Sequence, residues 1–133
     1  RWKEAESYTG ASPPKDPIIV DFSIEGKAMS LDITDCMQIA CESIIDPIVE
    51  NIKALIAESN PEYHDAFRQN IILAGGGSGI RGLGATIQDR LADLGEIEVH
   101  IVDDPVQLGA LGALRLGQEV PEEYWKNLTM SDL

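Results

Sequence analysis

The stretch Ile71-Ile72-Leu73-Ala74-Gly75-Gly76-Gly77-Ser78-Gly79-Ile80-Arg81-Gly82-Leu83 decides the fold class. Residues 70–74 read as a short apolar strand, and the glycine cluster that follows at once reads as a tight loop. A helix is expected over residues 80–94, with Leu83, Ile87, Leu91 and Leu94 on one face and Gly95 ending it. Residues 98–102 form a second strand that runs into Asp103-Asp104-Pro105, and Pro105 opens a further helix over residues 106–116. In that helix Gly109, Ala110, Gly112 and Ala113 make one side small. Strand–helix–strand–helix units of this length pair their strands in parallel through a right-handed crossover, so the fold class is α/β.

Upstream, residues 18–24 alternate through Val20, Phe22 and Ile24, and residues 29–33 through Met29, Leu31 and Ile33. With Glu25-Gly26-Lys27 between them they predict a β-hairpin. Thr34 and Asp35 are placed to cap the next helix. Its stripe of Met37, Cys41, Ile44, Ile45, Ile48, Ile52, Leu55 and Ile56 predicts one long amphipathic helix with a kink or break at Pro47. Residues 60–69 are a polar connection or short helix, residues 9–16 a loop, and residues 1–8 the end of a helix.

The 133 residues carry 10 Lys and Arg against 23 Asp and Glu, a net charge of −13. Such a surface repels phosphate backbones and acidic membranes, which excludes nucleic acid as a partner class. No apolar run reaches the roughly 18–20 residues of a membrane span, and direct membrane insertion is not expected. Cys36 and Cys41 stand five apart, on different parts of a helix, and read as reduced thiols. His64 and His100 have no nucleophile or metal partner at a sensible spacing.

A glycine cluster between a strand end and a helix start suits a phosphate or a ribose, because the bare backbone allows close approach. A Walker loop is ruled out, since Leu83 rather than Lys follows Gly82. A dinucleotide-binding, Rossmann-type fragment fits formally: Gly77, Gly79 and Gly82 make the G-x-G-x-x-G and Asp103 ends the next strand, where NAD ribose would bind. The same loop also resembles the adenosine motif of the actin-like ATPases, in which a strand ends in a double glycine lying against the nucleotide. Residues 104–113 resemble that family's second connecting helix. The hairpin with Gly26, the helix with Cys41 and Pro47, and the closing Pro121-Glu122-Glu123-Tyr124-Trp125 resemble one branch, the bacterial actins that organise magnetosome chains.

This resemblance covers nearly the whole chain and implies a partial actin-like (ribonuclease H-like) domain. Residues 1–16 would be a remnant of the outer-subdomain helix and loop. Residues 17–120 would be the inner subdomain of the second half, and residues 121–133 a C-terminal tail. The nucleotide-binding residues it implies are Gly75, Gly76, Gly77, Ser78, Gly79 and Ile80, with Lys3 a further adenine or ribose contact; the partner Glu position falls on Arg1. Complete members are filament-forming ATPases of roughly two and a half times this length, which use ATP and Mg. Their two Asp-x-Gly phosphate hairpins and their catalytic carboxylate or amide are not read in these residues. The expectation is therefore a truncated structural and interaction module that binds no cofactor on its own and performs no hydrolysis alone. Its expected partners are actin-like filament subunits, further copies of itself or a missing or fused upstream domain, in the cytoplasm alongside magnetosome filaments. Arg81 is a candidate phosphate contact. Asp103 and Asp104 are expected to cap the following helix.

Overall fold

A computed structural model describes residues 5–127, the side chains of Lys126 and Asn127 excepted. Strands β1 (Ile19–Ile24) and β2 (Lys27–Asp32) pair antiparallel, with Val20 opposite Leu31 and Phe22 opposite Met29. Glu25 and Gly26 make the turn at φ 51° and 76°. Two left-handed residues match the twist of the flanking strands, so Lys27 joins β2 instead of the turn.

Helices α1 (Thr34–Glu42) and α2 (Ile45–Glu58) replace the single long helix expected. Pro47 is the third residue of α2, where the first four N–H groups lack intrahelical partners, so its missing N–H costs nothing. The break accordingly falls upstream of the proline, at Ser43 and Ile44. Val49, not among the expected stripe residues though four after Ile45, is buried, whereas Leu55, which was among them, is 68% exposed.

The cap of α1 differs from expectation as well. Thr34 is itself the first helical residue, and the Asp32 carboxylate receives both its N–H (2.9 Å) and its hydroxyl (2.6 Å). The Thr34 hydroxyl in turn accepts the Ile18 N–H at 2.8 Å, which ties the hairpin to the helix. These hydrogen bonds from the Thr34 hydroxyl and backbone hold the Asp32 carboxyl below its ordinary 3.8. A depressed folded value means stability that is present above the unfolded value and lost as pH falls through the folded one. Asp32→Asn is therefore expected to melt lower than the parent chain near neutral pH and to converge with it in acid. Thermal melts of the two chains from about pH 7 to about pH 2 check this.

After a 3₁₀ turn (Pro61–Tyr63) and the short α3 (His64–Arg68), β3 (Ile71–Leu73) and β4 (Val99–Ile101) pair in parallel, Ile72 beside His100. Between them runs α4 (Leu83–Arg90), followed by a 3₁₀ turn (Ala92–Leu94) that Gly95 ends at φ 107°. Ile45 and Val49 of α2, Leu83 and Ile87 of α4, and Leu91 and Ile97 make the core, with Ile71, Leu73 and Val99 packed against it. Gly84 lets α4 lie close on the sheet, for a Cβ there would sit 3.3 Å from Ile101. Two helices thus cover one face of the β3–β4 pair; on the other, Ile72 is 64% exposed.

Helix α5 (Leu108–Glu119) has no buried residue, and its Gly109 and Gly112 have open space where a Cβ would stand. Residues expected to belong to a tail form helix α6 (Glu122–Asn127), and the Trp125 ring N–H donates to the Val120 carbonyl at 3.2 Å. Among the described residues no helix is long and apolar enough to cross a membrane.

Candidate functional site

The glycine loop stands at the carboxyl end of β3. Gly75 begins it at φ 85°, and its N–H donates to the Pro105 carbonyl at 2.9 Å. The loop and the 103–105 turn are therefore side by side beyond the ends of the two parallel strands, where open α/β sheets bind ligands. Residues 76–79 then close as a 3₁₀ turn on the Gly75 carbonyl, which receives the Ser78 N–H (3.0 Å) and the Ser78 hydroxyl (2.8 Å). Ser78 is buried, with its O–H committed to the loop, and Ile80 turns its side chain toward the core. Gly76, Gly77 and Gly79 are different: a Cβ on any of them would meet nothing within 4 Å. What the loop presents outward is bare backbone.

Gly82 has another role. It sits at φ 79°, and a Cβ would stand 2.6 Å from the Thr9 hydroxyl and 3.0 Å from Ser12. This glycine admits a chain segment, not a ligand. Helix α4 starts only at Leu83, so the Gly77–Gly79 turn does not open directly into a helix as the dinucleotide fingerprint requires. Asp104 accepts the Gln107 N–H at 3.2 Å and so caps the turn leading into α5, which begins at Leu108 and not at Pro105. Asp103 is exposed.

Arg81 lies 3.7 Å from the Glu6 carboxylate, an ion pair beside the loop exit. His64 is bonded through Nε2 to the Ser59 carbonyl and His100 to that of Gln69, each at 3.2 Å. Cys36 is exposed, Cys41 buried, and both are free thiols. Among the described residues no three His, Cys, Asp or Glu side chains come together as a metal site. The triplet Asp93-Leu94-Gly95 has the Asp-x-Gly pattern but closes the turn after α4, and Lys53 holds the Asp93 carboxylate at 2.8 Å. It is not a phosphate hairpin. Lys3 and Arg1 lie outside the described residues.

The model of the MreB/Mbl protein family matches residues 15–123. The chain belongs to the MreB/Mbl family. This MreB/Mbl chain is 40% identical over 126 residues to the actin-like protein MamK of Paramagnetospirillum magneticum strain AMB-1, covering 95% of itself and 36% of that relative. It is similar to a solved MamK double helical filament with TM-score 0.80 and 40% identity, over 90% of this chain and 36% of that one. It is also similar to a non-polymerising A278D mutant of MamK bound to AMPPNP, with TM-score 0.77 and 41% identity, over 88% of this chain and 35% of the other. The MreB/Mbl chain thus spans about a third of the length of the relatives it matches, and its fold is that of part of an actin-like domain. The Rossmann reading of Gly77, Gly79, Gly82 and Asp103 is not supported by these likenesses, nor by the separation of the Gly77–Gly79 turn from α4.

Proposed function

We propose that these residues work as a filament module of the MamK type, with the glycine loop forming the adenosine-facing part of a nucleotide site completed by other parts of the fold. The observation that carries this reading is the bare outward backbone of Gly76, Gly77 and Gly79 at the strand ends. A flat purine and ribose can lie on such a surface where any side chain would hold them off. ATP with Mg would be the ligand of the complete site. Here Gly75, Gly76, Gly77, Gly79 and the backbone of Ser78 and Ile80 would flank the nucleoside, and Lys3 would reach its base or sugar.

Hydrolysis needs groups that stabilise charge at the γ-phosphate, by metal or by backbone donors. On this reading those groups come from other parts of the fold, and the net charge of −13 opposes a bare triphosphate here. On this reading residues 17–120 are the inner subdomain of the second half, residues 1–16 the end of an outer one, and residues 121–133 a tail. The module acts in the cytoplasm, joining or capping filaments that run along magnetosomes.

Two measurements test this. In parallel calorimetric titrations with Mg-ATP, ADP and NAD, the purified chain is expected to bind adenine nucleotides weakly or not at all, to ignore NAD and to release no phosphate. Micromolar Mg-ATP affinity would show that the loop suffices without the rest of the site. In co-sedimentation the chain is expected to pellet with assembled MamK and to stay in the supernatant without it. If it never pellets with those filaments, the module reading fails.

A further inference from the structure

The exit of the glycine loop is fixed by a segment more than seventy residues away in sequence. Residues 6–10 cross the body between α1 and the loop exit. The Thr9 N–H donates to the Arg81 carbonyl at 2.8 Å and the Arg81 N–H to the Ser7 carbonyl at 3.1 Å, a parallel bridge between Tyr8 and Arg81. Tyr8 and Thr9 are 1% and 0% exposed. Thr9 is polar, yet it is buried as completely as any core residue, and its hydroxyl lies 2.8 Å from that of Thr86 in α4 and 3.3 Å from the Arg81 carbonyl. The Thr86 hydroxyl also reaches the Gly82 carbonyl at 2.9 Å. Two hydroxyls therefore join the crossing segment, the loop exit and the first turn of α4.

The far side of the segment is anchored as firmly. The Tyr8 hydroxyl donates to the Thr34 carbonyl at 3.0 Å, and the Gly10 N–H donates to the Glu42 carboxylate at 2.9 Å. The loop's other end is held by β3 and by the Pro105 carbonyl. Its shape between those fixed points depends on where Ile80 and Arg81 are placed, since Ile80 closes the loop's last turn on the Gly77 carbonyl at 3.2 Å.

We infer that residues 6–10 act as a strap that sets the conformation of the glycine loop, with Thr9 and Thr86 as its positioning pair. The inference rests on the reading of that loop as the nucleotide-facing one only for its consequence: what displaces the strap then changes how the loop meets a nucleotide.

Hydrogen exchange on the whole chain tests it, with Thr86→Val to remove one hydroxyl and Thr86→Ser to keep it. Thr86 keeps its backbone bond to the Gly82 carbonyl in either variant. Thr86→Val is expected to speed exchange at Thr9 and Arg81, and also at Ser78 and Ile80 inside the loop, by about fivefold. Amides of α2 should be unchanged, and Thr86→Ser should restore the parent rates. Faster exchange at Thr9 and Arg81 with Ser78 and Ile80 unmoved, or no change anywhere, overturns the inference. Should Thr86→Val loosen α2 as well, Tyr8→Phe, which removes the strap's hydrogen bond to the Thr34 carbonyl of α1, is read at the same amides by the same criterion. The exchange result stands whether or not Mg-ATP binds. A positive exchange result with no nucleotide effect under any assembly condition would remove the nucleotide reading and leave the strap.

Discussion

Gly82→Ala is expected to destabilise the chain by about 2–4 kcal/mol, the largest effect of any single-methyl addition in the loop region. Two costs combine. At φ 79° an L-residue is strained wherever it stands. The added Cβ would also lie 2.6 Å from the Thr9 hydroxyl and 3.0 Å from the Ser12 backbone nitrogen, and the latter has no side-chain freedom with which to yield. The change therefore expels the strap or unwinds the start of α4. Gly77→Ala, five residues earlier, meets nothing within 4 Å and has no left-handed φ, so its effect on stability should stay within about 1 kcal/mol. Denaturant titration of the two variants separates them. Equal losses would mean that the strap is not packed on Gly82. The same pair divides structure from ligand: on the proposed reading, Gly77→Ala would obstruct an assembled nucleotide site while the fold persists.

Ile87→Ala should cost about 2–5 kcal/mol, the range for truncating a fully buried aliphatic side chain. Ile87 is 0% exposed and lies between α2 and the sheet, with Leu83 and Leu91 as neighbours along its own stripe. Against a typical total of about 5–15 kcal/mol, this is a large fraction for a core built on one side of two strands. Leu55→Ala is the contrast, at 68% exposure expected to change the urea midpoint by less than about 0.5 kcal/mol equivalent. A mild Ile87→Ala phenotype would show that the cavity collapses, which close packing around Ile45, Val49 and Leu91 argues against.

The strand–loop–helix–strand order was legible because its signals are local. Apolar runs mark β3 and β4, Leu83, Ile87 and Leu91 keep helical spacing, and Gly95 stops the segment. The hairpin was legible for the same reason. Break positions were not. Pro47 announces a disturbance, but a proline is tolerated in a first turn, and only the packed structure places the discontinuity at Ser43 and Ile44. The buried Val49 was missed although it stands four residues after Ile45. At the site, the glycines looked alike in sequence and proved to have two uses. Gly76, Gly77 and Gly79 leave a surface bare, whereas Gly82 makes room for Thr9, a partner 73 residues away that no local pattern reveals. The strap itself lies in residues read as helix end and loop, and a lone buried threonine between a tyrosine and a glycine carries no periodic signal.

Among the described residues the two strand pairs do not share a ladder: β1 joins β2, and β3 joins β4. What connects the hairpin to the α/β layer is the short run of contacts through Ile18, Thr34 and Tyr8, not continuous sheet hydrogen bonding. A two-stranded ribbon is marginal in water without such support. The hairpin is therefore coupled to the α/β layer through a few hydrogen bonds around the start of α1. Loosening the strap would release its hold on α1, whose Thr34 also carries the hairpin's tie, as well as its hold on the loop exit.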